Sequence, residues 1–94
     1  MIKHIYIINL KIHYMITKKQ TILCISKALK VPVTKININS SDKNFEAWDS
    51  LGQLQILINL DKALKGKAVK IKDLAQAYSV KKIFTILKKN KLLN

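Results

Sequence analysis

Between Asp49 and Leu64 the apolar residues Leu51, Leu54, Leu57, Ile58 and Leu64 recur at helical intervals, and no other stretch limits the possible folds so strongly. A strand repeats every second residue, so spacings of three and four commit this segment to a helix with a face to bury. Asp49 stands where a cap is wanted, because its carboxylate can accept from the unpaired N–H groups of the first turn. Gly66 is suited to close the helix at the other end.

Three further segments carry the same kind of signal. Thr17-Lys18-Lys19-Gln20 has the form of a capping box, and Ile22, Leu23, Ile25, Ala28 and Leu29 continue it with helical spacing. Pro32 disfavours helical geometry at Val31, so this helix should end by about Lys30. Ile71, Leu74, Ala75 and Tyr78 predict a short helix of about two turns. Ser79 can cap a last helix, whose Val80, Ile83, Phe84 and Leu87 form one apolar stripe ahead of a Lys-rich tail. The stretch from Val33 to Trp48 is rich in Asn, Ser and Asp and reads as a long ordered loop pinned to the core by Val33, Ile36, Ile38, Phe45 and Trp48. The expected fold is all-α: a four-helix bundle of three longer helices and one short third helix, with the long loop between helices 1 and 2. The expected core is Phe45, Trp48, Leu57, Leu74, Val80, Ile83 and Phe84.

Ninety-four residues suffice for one domain with one modest core. The expected domain spans residues 15–94. Residues 1–14, MIKHIYIINLKIHY, mix strand and helix patterns and read as an extension of uncertain structure, or an upstream start that is not always used. They lack the long apolar region and small-residue cleavage site of a secretory signal. No apolar run approaches the roughly 18 residues of a membrane span, so a soluble monomer is expected. With Cys24 as the only cysteine there is no disulfide framework, which fits a reducing, cytoplasmic compartment.

A formal charge of +13 invites a polyanion as partner. All 18 basic residues are Lys, however, and with the abundance of Ile and Asn this reads as compositional drift on a solvated surface. The absence of Arg counts against base-specific nucleic-acid recognition. The charge is also uneven: Ile36 to Asp61 holds the acids Asp42, Glu46, Asp49 and Asp61 against one base, Lys43, an acidic island in a basic chain.

No catalytic constellation is present, and no metal-binding set. His4 and His13 lie in the extension without supporting partners, and Cys24 sits within the first helix's apolar run, where an inert, buried thiol is expected. Trp48-Asp49-Ser50-Leu51 stands apart, because it places a serine beside a carboxylate at a loop-to-helix junction. Unpaired N–H groups and the positive end of the helix dipole would favour a phosphodiester there. Taken alone, the Asp-Ser pair is better explained as a plain helix cap.

The wider segment Phe45-Glu46-Ala47-Trp48-Asp49-Ser50-Leu51-Gly52-Gln53-Leu54-Gln55-Ile56-Leu57-Ile58-Asn59-Leu60-Asp61-Lys62-Ala63-Leu64 resembles the Asp-Ser-Leu region of acyl carrier proteins, in the branch with Trp before Asp. The likeness extends from about Met15 to Leu93. The interval from Leu29 to Ser50 and the Tyr78-Ser79-Val80 start of the last helix both fit it.

The resemblance implies a carrier, not an enzyme. Ser50 would bear a 4'-phosphopantetheine arm, taken from coenzyme A by a separate phosphopantetheinyl transferase, with Asp49 helping that enzyme hold magnesium. Acyl or aminoacyl groups would then ride as thioesters, loaded and unloaded by partner enzymes of a fatty-acid, polyketide or other specialised pathway. Leu51, Leu54, Ile58 and Asp61 would meet those partners. Gly52, Gln55 and Lys62 stand where the family commonly has acids, which implies a dedicated partner set. The competing expectations are a basic helical module for nucleic acid or anionic membrane, and a degenerate carrier fold kept for protein interaction.

Overall fold

The computed structural model describes residues 15–94; residues 1–14, with His4 and His13, lie outside the described residues. Three α-helices make up the frame: α1 (Lys18–Leu29), α2 (Ser50–Ala63) and α3 (Val80–Lys89). Two 3-10 turns punctuate the connections, at Val33–Lys35 and Lys72–Gln76. No strand occurs among the described residues, only isolated bridges pairing Ile16 with Leu93 and Ser41 with Ser79.

Each α-helix begins on the cap that its sequence offers. The Thr17 hydroxyl accepts from the Gln20 N–H at 3.0 Å while the Gln20 side chain accepts from the Thr17 N–H at 2.8 Å, completing the box. Asp49 caps α2, and the Ser79 hydroxyl caps α3 by accepting from the Lys82 N–H at 3.1 Å. The helix ends share a device that the sequence does not advertise. Lys30, Lys65 and Lys91 all adopt left-handed φ, between 56° and 59°. The following N–H then reaches back to a carbonyl five residues earlier: Val31 to Ser26, Gly66 to Asp61 and Leu92 to Leu87. This satisfies carbonyls that a helix end leaves open. For α2, Lys65 precedes Gly66 in positive φ, so the expected glycine closure begins one residue early.

One face of each helix enters the core. Ile25 and Leu29 of α1, Ile56, Leu60 and Leu64 of the α2 segment, and Val80, Ile83 and Leu87 of α3 are buried together with Trp48 and Leu74. Several expectations need correction. Leu57 and Phe45 are only partly buried, packed against the core from outside, because the buried stripe of α2 runs through Gln53, Ile56, Leu60 and Leu64. Of the residues expected to pin the long loop, Val33 and Ile38 do not, each being 44% exposed, while Ile36 and Trp48 are buried as expected. Where a short third α-helix was expected, the chain forms the 3-10 turn Lys72–Gln76, with Leu74 buried. The Lys-rich tail is also anchored. Leu92 and Leu93 are buried beside Ile16, whose N–H donates to the Leu92 carbonyl at 2.9 Å.

The long loop is held by polar contacts suited to its composition. Ser40 is buried, its hydroxyl accepting from the Asn37 N–H at 2.9 Å and its carbonyl from the Val80 N–H at 2.9 Å. The Asp42 N–H donates to the Tyr78 carbonyl at 3.0 Å, so the loop is stitched to the start of α3. Every buried side-chain nitrogen or oxygen among the described residues has a hydrogen-bond partner.

Candidate functional site

The junction before α2 is built by two residues that press the loop onto the first turn. Trp48 is 2% exposed, and its indole N–H donates to the Gln53 side-chain oxygen at 2.7 Å. Gln53, itself buried, spends its amide N–H groups on the carbonyls of Leu74 and Ala77, at 3.0 and 3.1 Å. One side chain therefore ties together the loop, the helix that follows it and the segment around the second 3-10 turn. On the other flank, the Ala47 carbonyl lies so close to Gly52 that a Cβ there would stand 2.1 Å from its oxygen. Only glycine lets the loop cross at that point.

Asp49 completes the corner. One carboxylate oxygen accepts from the Gly52 N–H at 2.9 Å, and its carbonyl accepts from the Gln53 N–H at 2.8 Å. With Trp48 turned inward and Asp49 engaged in the cap, Ser50 becomes the first residue of α2 and faces solvent. Its hydroxyl makes no hydrogen bond to any described residue. The chain's other serines are all occupied: Ser26 donates to the Val31 carbonyl, Ser40 and Ser41 serve the loop, and Ser79 caps α3. Of the five serines, Ser50 alone is both exposed and unengaged. Open N–H groups and the positive end of the α2 dipole lie beside it, so an anionic group attached to that oxygen would be electrostatically favoured.

Leu51, Leu54 and Ile58 continue from Ser50 along the outer face of α2, 75%, 52% and 37% exposed. Gln55 and Lys62 share that face, and Asp61, expected to meet partners, stands beside it, seven residues after Leu54. It is half-buried and its carboxylate accepts from the Val69 N–H at 3.0 Å, which gives it a structural task in the turn after α2. Gln53 was missed by sequence reasoning. The available signal was a polar residue at the head of the stripe Ile56, Leu60 and Leu64, five residues after the only tryptophan.

Cys24 is half-buried on α1, facing Asn59 of α2, whose side-chain amide donates to the Cys24 carbonyl at 3.0 Å. Burial pushes its thiol pKa up, a shift that nearby Lys27 only partly opposes. A thiol so placed is a poor nucleophile. No group of three or more His, Cys, Asp or Glu that could hold a metal occurs among the described residues.

No family model, curated protein or solved structure matches the chain. The functional reading therefore rests on the residues themselves and on their arrangement at the head of α2.

Proposed function

We propose that the protein is a carrier that holds acyl or aminoacyl intermediates on a 4'-phosphopantetheine arm attached to Ser50, in a bundle of acyl-carrier type. The observation that supports this most is the isolation of Ser50: the one serine that is exposed and unengaged stands at a helix start, in a Trp-Asp-Ser-Leu sequence, on a corner fixed by Trp48, Gly52 and Gln53. A nucleophilic hydroxyl that a transferase must reach has to be exposed and free of competing bonds. Ser50 meets both needs, and Asp49 uses one carboxylate oxygen in the cap while its neighbour stays accessible for a metal brought by that enzyme. When bound, the arm would supply a thiol for thioester formation. The chain's own residues would present it: the rigid corner fixes where the arm leaves, and the apolar row Leu51, Leu54 and Ile58 meets the enzymes that load and unload it.

The test is intact-mass analysis after incubation with coenzyme A and a promiscuous phosphopantetheinyl transferase, followed by peptide mapping. One arm on Ser50, none on a folded Ser50→Ala variant, and slower loading of Leu54→Glu or Ile58→Glu with unchanged helicity are expected. Addition at Ser26, Ser40, Ser41 or Ser79, or no addition at all, refutes the assignment. Equal loss of loading on changing Lys88 and Lys89 to Gln refutes the contact surface.

A further inference from the structure

We infer that the outer face of α1 and the 3-10 turn Val33–Lys35 form a docking surface for an anionic lipid bilayer. Leu23 and Val33 are each 44% exposed, and with Ile22, Ile36, Lys19 and Gln20 they line one open groove of about 430 Å³. Such side chains, gathered on one surface, stay in water at a cost that contact with an apolar phase removes. The charges around them have a single sign. From Met15 to Ser41 the chain holds five lysines (Lys18, Lys19, Lys27, Lys30 and Lys35), all exposed, and no acid.

The combination selects the partner. A nucleic acid would use the lysines but has no use for Leu23 and Val33, and the groove offers neither Arg nor an aromatic ring on which a base could stack. A bilayer with anionic headgroups uses both parts. The lysines meet lipid phosphates and lay their aliphatic stems along apolar surface, while Leu23 and Val33 reach the boundary between headgroups and acyl chains. This is surface attachment, since no helix among the described residues is long and apolar enough to cross a membrane. Ser50 takes no part in it, so the inference stands apart from the carrier reading.

The experiment is co-sedimentation of the full-length chain with large vesicles of phosphatidylcholine alone, or with about a third of the lipid replaced by phosphatidylglycerol. Binding to the anionic vesicles only, weakened by added salt, is expected. Lys19→Gln combined with Lys27→Gln should weaken it roughly 30-fold, from about fivefold for each lysine near an anionic surface. Leu23→Ser combined with Val33→Ser, at positions already exposed, should weaken it about tenfold or more. Lys88→Gln with Lys89→Gln should change it far less, and circular dichroism should show all three variants folded. Equal binding to neutral vesicles overturns the proposal, as does a larger effect from Lys88 and Lys89 than from Lys19 and Lys27. Tight binding of duplex DNA with vesicle binding indifferent to Leu23 and Val33 would show a nucleic-acid surface instead, and also overturns it.

Discussion

Replacing Gln53 by Leu keeps the size of the side chain and removes the three side-chain hydrogen bonds by which Gln53 links Trp48 to the segment around the second 3-10 turn. Three groups lose a partner: the Trp48 indole N–H and the carbonyls of Leu74 and Ala77. The Leu74 carbonyl keeps the Ala77 N–H at 3.2 Å, so two groups are left without one. A buried orphan of this kind costs about 1–3 kcal/mol, and the leucine's apolar burial returns about 1–2 kcal/mol. With two orphans set against that return, the net expected loss is about 2.5 kcal/mol at mid-range, a large share of the roughly 5–15 kcal/mol that holds a domain together. For a domain of this size it lowers Tm by about 10–20 °C. Urea denaturation followed by the fluorescence of Trp48, the only tryptophan, reads the loss directly. A double-mutant cycle with Trp48→Phe, followed by circular dichroism, isolates the pair, and the two changes should be less costly together than their sum. A loss below about 0.5 kcal/mol, or strict additivity, would show that Gln53 does not hold the corner.

Leu60→Ala should cost about 2–5 kcal/mol because Leu60 is fully buried, while Leu57→Ala at a partly exposed position should cost clearly less; the reverse order in denaturation would mean the wrong face of α2 is inside. Lys30→Gly and Lys91→Gly should each raise stability by about 0.5–1 kcal/mol, since left-handed φ strains a side-chain-bearing residue more than glycine's extra unfolded entropy costs, and an unchanged or lower Tm would refute this. Cys24 should react slowly with thiol reagents in the native state. Its folded pKa lies above the ordinary value of 9.0, so the unfolded chain ionises first and the thiol's contribution, full below that value, is lost as pH rises through the folded pKa. The difference in stability between the native chain and Cys24→Ala should shrink over that alkaline window, and a difference that grows there contradicts the sign.

What was legible in the sequence was whatever depends on neighbours along the chain. Thr17 with Gln20, Asp49 and Ser79 announce helix starts because capping is local, and each cap forms as its residues suggest. The stripe of α3 was legible in full because Val80, Ile83, Phe84 and Leu87 stand against an almost unbroken polar face. On α2 both faces are apolar, so period alone could not say whether Leu54 or Ile56 goes inside; the contacts that decide it come from Trp48, Leu74 and α1. The end of α1 by Lys30 was legible from Pro32, whereas the left-handed closing turns at Lys30, Lys65 and Lys91 were not, because lysine fills positions that glycine usually marks. The segment around Lys72–Gln76 carries helical spacing, yet the carbonyls of Leu74 and of Ala77, which follows the turn, accept from the Gln53 side chain, a contact across more than twenty residues that no local pattern contains.

The same contacts change what the acidic island can mean. Asp49 and Asp61 are two of its four acids, and each has a task within the chain: the first caps α2 at Gly52, the second accepts from Val69 in the turn that follows. Loss of either would leave a backbone N–H short of a partner, which is reason enough for an acid at those positions in so basic a chain. That leaves Asp42 and Glu46 as exposed loop acids, too few to steer an enzyme along α2 by charge alone. What the outer face does offer is Leu51, Leu54 and Ile58, ending at Lys62. On the carrier reading, then, apolar contact and not charge attraction distinguishes its partners, and the Gly52 corner explains why. A residue with a Cβ, acidic or otherwise, cannot stand at that position without displacing the Ala47 carbonyl and with it the loop that delivers Ser50.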